Sequence, residues 1–328
     1  MLNEFPPPHS GKTGWPWIEE TSDLAITIPD DSFYPKISIV TPSYNQAQYL
    51  EETIRSVLLQ NYPNLEYIVI DGGSTDGSVE IIKKYKPWLT YWVSEKDKGQ
   101  AQAINKGFAR STGEIMAWIN SDDYYLPGIF KALAKTLSQN DTQWLAGNVY
   151  VIQKNGVVKS RARKQTTSTY EWLLSNPIFQ PGVFWRRSIW VESGGIDEDM
   201  HYSFDYDLWM KFIRVQPCPT WLEQYLAIFR IHDSSKTGID FLPFERENQI
   251  IHQRYDKKFS RRDHFQAWKL VRERQAEHYL SIDDFSKPLH EKIILGVIHA
   301  PWLIFTRYFY YKIKRILLNW KIQKDSCL

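Results

Sequence analysis

The sequence predicts an α/β protein: a mostly parallel sheet with flanking helices, followed by a C-terminal helical segment. Three observations carry that prediction. Short apolar runs alternate with helically spaced ones from Lys36 to Ile119, which is the pattern of strands joined by helical crossovers. A polar cluster closes each apolar run. Beyond about residue 245 the pattern becomes helical and charged, with Arg and Lys interleaved among apolar residues.

Residues 1–35 are rich in Pro, Ser and Asp and read as an extended arm, with Trp15 and Trp17 placed to dock on the body. Ile37 to Thr41, ended by Pro42, predicts a buried strand. Ala47 to Gln60 spaces Leu50, Ile54, Val57 and Leu58 as one helical face. Leu65 to Ile70 is a second strand, and Asp76 to Tyr85 a second helix with Asp76 as its cap. Thr90 to Val93, Gly99 to Arg110 and Glu114 to Ile119 repeat strand, helix and strand.

A hydrophobic content of 43% and a charged content of 24% are those of a globular chain. The 14 Trp, 19 Tyr and 16 Phe suit carbohydrate or membrane surfaces, and they equally fill cores. Cys218 and Cys327 form neither a disulfide framework nor a metal spacing, which predicts a reducing compartment. The opening Met-Leu-Asn-Glu-Phe-Pro-Pro-Pro lacks a signal-peptide pattern, so a cytoplasmic location is expected. No nucleic-acid-binding motif is present, so no nucleic-acid partner is expected.

In parallel sheets, ligands bind beyond the carboxyl ends of the strands. Four polar clusters fall there: Thr41-Pro42-Ser43-Tyr44-Asn45, the stretch 71–77, the stretch 94–100, and Asn120-Ser121-Asp122-Asp123. Adjacent carboxylates at the mouth of a buried strand are costly unless a cation sits beside them. A divalent metal carrying a phosphorylated ligand meets that need; a helix N-cap is the plainer reading. Gly72, Gly73 and Gly77 could serve only a turn, and Ser43 and Asn45 could be ordinary caps. The convergence of all four clusters on one edge favours a site.

In Ile37-Ser-Ile-Val-Thr-Pro-Ser-Tyr-Asn45, Ile70-Asp-Gly-Gly-Ser-Thr-Asp-Gly77, Asn120-Ser-Asp-Asp123 and Tyr202-Ser-Phe-Asp-Tyr-Asp-Leu-Trp209, the chain resembles family-two glycosyltransferases. These are inverting enzymes with the Rossmann-like GT-A fold, and the resemblance covers roughly residues 36–240. It implies a catalytic domain over 36–245, with a nucleotide-binding half at 36–123, an acceptor half at 124–245 and a helical basic region at 246–328. It implies a nucleotide-sugar donor (UDP-, dTDP- or GDP-linked), a glycan, polysaccharide or lipid-linked acceptor, and Mg²⁺ or Mn²⁺. Residue by residue, Thr41, Pro42, Ser43, Tyr44 and Asn45 would line the nucleotide pocket. Asp71 would face the base or ribose, with Asp97, Lys98 and Gln100 beside it. Asn120, Ser121 and Asp122 would border the ribose, Asp122 as its ligand. Asp123 would hold the metal, and Asp205 would be the catalytic base. Two departures stand out. Many members carry two adjacent acids after the second strand, where this chain has Gly72 in the second place; many also carry Glu before the catalytic Asp, where it has Phe204.

The chemistry asks for these residue types. A departing diphosphate gathers negative charge that a metal neutralises, and paired carboxylates are hard oxygen ligands suited to Mg²⁺ or Mn²⁺. The acceptor hydroxyl loses a proton as it attacks, which a carboxylate takes. Asp205 suits that role, although Asp205 and Asp207 also suit a helix N-terminus. Arg230, His232 and Lys236 follow on one segment. The cations could reach the diphosphate and His232 could join the metal, or be structural. Gln180 and Trp185 are candidates for the acceptor pocket, Trp185 equally for the core, and Asp207 for support of the base. A sugar nucleotidyltransferase would need a glycine-rich basic loop after the first strand, and Thr41–Asn45 has none. A non-catalytic carbohydrate-binding protein would not need Asp122, Asp123 and Asp205 together.

Residues 286–328 carry eight Lys or Arg against two acids, leaving the rest at −4 within a net charge of +2. Trp302, Phe305, Phe309, Ile313, Ile316 and Trp320 share a helical face, with Arg307, Lys314 and Lys321 opposite. That pattern fits a helix lying on an anionic membrane, peripheral to its cytoplasmic face, or one packed on the catalytic body. His299, Pro301 and Arg307 make it a poor spanning segment. Deleting residues 290–328 is expected to release the protein from membranes; equal fractionation of the truncated and full-length proteins would refute membrane attachment.

Overall fold

The computed structural model describes residues 2–22, 34–138, 142–153, 156–160, 169–236, 242–279, 289–299 and 301. The expected interfacial helix over 302–320 lies outside them. The chain divides into two units, Met1–Tyr255 and Asp256–Leu328.

In the first unit, β1 (Ile37–Ser43), β2 (Leu65–Asp71), β3 (Tyr91–Ser94) and β4 (Ile115–Trp118) alternate with α1 (Ala47–Leu58), α2 (Ser78–Tyr85) and α3 (Gln100–Arg110). The boundaries differ from the expected ones by a residue or two. The left-handed Gly77 occupies the cap position of α2, and Asp76 holds two helix starts at once: Oδ1 accepts from Ser78 N at 3.1 Å, at the start of α2, and Oδ2 from Ala47 N at 2.8 Å, at the start of α1.

Three parallel pairings order these strands β3-β2-β1-β4. All seven residues of β1 are buried, as a central parallel strand requires. Leu50, Ile54, Val57 and Leu58 of α1 are buried together, as their spacing predicts. After β4 the direction changes. The strands β5 (Tyr124–Tyr125), β6 (Trp144–Gln153), β7 (Gly156–Ser160), β8 (Val183–Arg186) and β9 (Thr220–Arg230) complete a nine-stranded mixed sheet. In it β8 runs antiparallel to both β4 and β6, and β9 runs parallel to β6. Around it lie α4 (Ile129–Leu137), α5 (Arg187–Ser193), α6 (Phe204–Phe212) and α7 (Leu242–Tyr255). The first unit includes α7, because Arg254 Nη1 and Tyr255 Oη both bond Asp207 Oδ1 in α6, at 2.8 and 3.1 Å. The body therefore continues to Tyr255, past the expected boundary at 245.

Trp118, Trp144, Trp185 and Trp209 are fully buried. Trp209 stacks between Trp118 and Trp144 with centroids 5.8 Å away on each side. Part of the aromatic excess is thus core. The arm also docks. Arg55 of α1 is buried and donates to the carbonyls of Pro6, Pro16 and Trp17. Its guanidinium lies 5.4 Å from the rings of both Phe5 and Trp17. The second unit contains α8 (Arg261–Tyr279) and α9 (Leu289–His299). Among the described residues no helix is long and apolar enough to cross a membrane.

Candidate active site

The chain leaves β1 toward β2 and β3 and returns to β4 on the other side of β1, so the strand order reverses between β1 and β4. Crevices at such reversals receive ligands. Two cavities open there, of 380 and 510 Å³. They share Gln100, Asn120, Asp122, Tyr202, Ser235 and Lys236, so one continuous site has two lobes.

The larger lobe is bounded by Pro42, Ser43 and Tyr44 after β1, by Gly72 after β2, and by Lys96 and Asp97 after β3. The Ser43 hydroxyl is buried without a protein partner. A Cβ on Gly72 would lie 2.9 Å from Asp97 Oδ2. The glycine therefore makes room for a carboxylate arriving from β3. Asp97 Oδ1 accepts from Gly99 N at 2.8 Å, and burial raises its pKa.

The smaller lobe holds Asn176, Gln180 and Asp205. Asp205 sits in the first turn of α6, half-buried. It accepts from Tyr206 N at 2.7 Å and from Asn176 Nδ2 at 2.9 Å. Burial outweighs those bonds and pushes its carboxyl up to about 6.

Between the lobes, the antiparallel pairing of Tyr124 with Ile228 brings the 120–123 turn against the end of β9. His232 Nε2 reaches Asp122 Oδ2 at 3.1 Å, while its Nδ1 meets Ser234 Oγ at 2.9 Å. Lys236 Nζ donates to Gln100 Oε1 at 3.0 Å and to His201 O at 2.6 Å. Lys236 keeps exposed surface, yet crowding about its ammonium lowers its pKa against the opposing pull of Glu247, Asp205 and Asp122.

The family described as Glycosyl transferase family 2 matches residues 38–195. RP339 of Rickettsia prowazekii, an uncharacterized glycosyltransferase, is 30% identical over 215 residues, covering 63% of this chain and 67% of that one. The chain belongs to glycosyltransferase family 2. Solved structures share the fold of this glycosyltransferase. The mannosyltransferase PcManGT of Pyrobaculum calidifontis, in complex with GDP-Man and Mn²⁺, superposes with a TM-score of 0.55 at 18% identity, covering 89% and 87% of the two chains. TarS 1–349 of S. aureus, in complex with UDP-GlcNAc, gives 0.54 at 17% identity, covering 86% and 79%. Family membership decides against the nucleotidyltransferase and non-catalytic readings.

The glycosyltransferase brings most of the sequence candidates together. Pro42, Ser43, Tyr44, Asp97, Gln100, Asn120, Ser121, Asp122, Gln180, Asp205, Arg230 and Lys236 each border a lobe. Others stand behind the walls. Thr41 is buried with Oγ1 3.0 Å from Tyr67 Oη. Asn45 ties the first loop to the second, its Oδ1 accepting from Thr75 N. Asp71 is buried, accepting from Gly73 N, Ser74 N and Oγ, and Ser94 Oγ, so it shapes the loops rather than a lobe surface. Lys98 borders neither lobe.

The expectation for Asp123 meets a physical obstacle. Its side chain is fully buried and borders neither lobe. Oδ1 accepts from Arg230 N at 2.9 Å and Oδ2 from Asn120 Nδ2 at 3.3 Å. Burial, then the nearby Asp122 charge, pushes its pKa well above the usual carboxylate range. Asp123 also caps no helix, since α4 begins behind Gly128. Trp185 packs in the tryptophan core and borders neither lobe. Asp207 is buried in ion pairs with Lys211 and Arg254 and borders neither lobe. The Arg230 guanidinium pairs with Glu52 at 2.7 Å and lies between the Tyr49 and Tyr124 rings, so little of it is left for a phosphate.

Sequence reasoning missed Asn176 as the partner of Asp205, and also Trp118, Tyr202 and Ser235 in the walls. Asn176 is a polar residue four positions before Gln180, and that proximity is the signal the sequence offers. The others come from positions whose exposure only the fold sets.

Proposed function

We propose that this glycosyltransferase transfers a sugar from a nucleotide-sugar to an acceptor hydroxyl with inversion, using Asp205 as the base. One observation carries this reading. A carboxyl held up to about 6 borders a lobe that is continuous with a second, nucleotide-sized one. The nucleotide lies in the larger lobe, its base near Asp97, and the acceptor enters the smaller lobe beside Asn176 and Gln180. The acceptor oxygen attacks the anomeric carbon while Asp205 takes its proton. The bond from that carbon to the diphosphate breaks, and the electron pair leaves on the diphosphate oxygen. One displacement inverts the centre.

Lys236, between the lobes, carries the positive charge best placed for the diphosphate. Asp122 and His232 are the residues that would hold a divalent cation. Asp122 borders both lobes and His232 Nε2 lies 3.1 Å from its Oδ2, while among the described residues no group of three or more His, Cys, Asp or Glu is placed to hold a metal ion. The Asp122 carboxylate is the kind of hard oxygen ligand that would suit Mg²⁺ or Mn²⁺ together with substrate phosphates. When bound, the cation neutralises the leaving diphosphate. The mannosyltransferase PcManGT, in complex with GDP-Man and Mn²⁺, and TarS 1–349, in complex with UDP-GlcNAc, support this donor class.

A screen of nucleotide-sugars for metal-dependent hydrolysis and transfer, with the product anomer read by NMR, tests the proposal. A retained configuration would overturn the single displacement. Gly72→Ala tests the donor lobe separately. The added Cβ would push Asp97 aside, so donor KM is expected to rise roughly tenfold with kcat little changed. An unchanged KM would remove Asp97 from the donor contacts.

A further inference from the structure

Phe204 leaves the catalytic carboxylate without an acidic neighbour before it, and the structure supplies an acid from elsewhere. Glu247 of α7 is half-buried against the entry to α6. Its Oε1 accepts from His201 N at 2.8 Å. Its Oε2 accepts from Tyr202 N at 2.9 Å and from Ser203 N at 2.6 Å. Three consecutive amides thus converge on one carboxylate, a charge-assisted arrangement about twice as strong per bond as neutral pairs. No side chain caps α6 at Ser203, so this clamp is what anchors the turn.

That turn serves both lobes. Tyr202 borders each of them, and the His201 carbonyl accepts from Lys236. Asp205 follows after Phe204 and, among the described residues, takes one side-chain hydrogen bond, from Asn176. Around Asp205 the charged groups are Glu247, whose charge disfavours its ionisation, and Lys236, which feels both carboxylates.

We propose that Glu247 is the positioning residue for the Asp205 base, clamping the His201–Ser203 turn so that Asp205 meets the acceptor. The inference rests on Asp205 being that base. A clamp misplaced by about 1 Å can cost on the order of 10²-fold in rate, whereas donor affinity depends mainly on the opposite lobe.

The experiment compares Glu247→Gln, Glu247→Ala and Asp205→Asn in the full chain. It measures kcat, donor KM and the pH profile of kcat/KM. In Glu247→Gln, which keeps an acceptor oxygen but loses the charge, kcat is expected to fall roughly tenfold. The acid limb of its profile should move somewhat to lower pH, because burial still raises the Asp205 carboxyl but the added push of the Glu247 charge is gone. Donor KM should stay within about twofold. Glu247→Ala should lose more kcat, with partial return in Glu247→Asp. A merely structural role would not move the acid limb. If Asp205→Asn is inactive while Glu247→Gln keeps the wild-type kcat and acid limb, the clamp is refuted. If Asp205→Asn transfers at the wild-type rate, the choice of base falls, and the clamp with it. Glu247→Gln alone decides the question should Glu247→Ala fail to fold.

Discussion

Asp205→Asn is expected to abolish transfer while leaving a better-folded protein. An amide cannot take the acceptor proton, and losing a general base costs on the order of 10²–10⁴-fold. The stability effect has the opposite sign to the loss of activity. Burial raises the folded-state carboxyl from 3.8 to about 6. The unfolded chain therefore releases this proton first as pH rises. The stabilising contribution of the protonated group is present below pH 3.8 and is lost as pH rises through about 6. At neutral pH the wild type holds a half-buried charge that the amide variant lacks, so the variant should melt higher there. The same group sets the acid limb of the wild-type rate profile near pH 6, with activity falling below it. A variant that keeps transfer, or a wild-type profile flat down to pH 5, would sink this choice of base.

Asp122→Asn is expected to lower transfer on the order of 10²-fold or more at saturating donor. It should also raise the Mn²⁺ or Mg²⁺ concentration needed for half-maximal activity. Asp123→Asn is the informative contrast. That carboxyl is buried, tied to Arg230 N and Asn120, and its pKa is pushed well above the ordinary range. An amide of the same shape replaces its neutral form, so the metal requirement should stay where it was. Metal titrations of both variants decide between the two neighbours. A large shift in Asp123→Asn with none in Asp122→Asn would restore Asp123 as the ligand.

The placement of these acids shows what a linear reading reaches. The alternation from Ile37 to Trp118 predicts four strands and three helices within a residue or two of those observed. Local periodicity is enough there, because β1 and β4 are buried along their whole length, β2 at all but its first residue, and each helix on one face. Family membership and the reading of the strand-end loops as one site stand on the same footing. Beyond β4 the legibility drops. The pairing of β6 with β9 and of β5 with β9 joins strands distant in sequence, and no local pattern records such a register. That pairing decides which face of the Asn120–Asp123 turn is sealed.

The α/β class, the crossover units, the polar edge and the pair Asp122-Asp123 with Asp205 downstream are legible in the linear chain. All of these depend on residue type and short-range spacing. Where each of these groups ends up in the fold depends on long-range packing. It buried Asp123 beneath β9 and left Asp122 at the cavity beside His232. It filled the space over Gly72 with Asp97, put Trp185 in the core, and brought Glu247 to the helix that carries Asp205. The physical reason is desolvation. Whether a carboxylate binds a ligand, braces a turn or works as a base depends on which neighbours exclude water from it, and those neighbours arrive from distant parts of the chain.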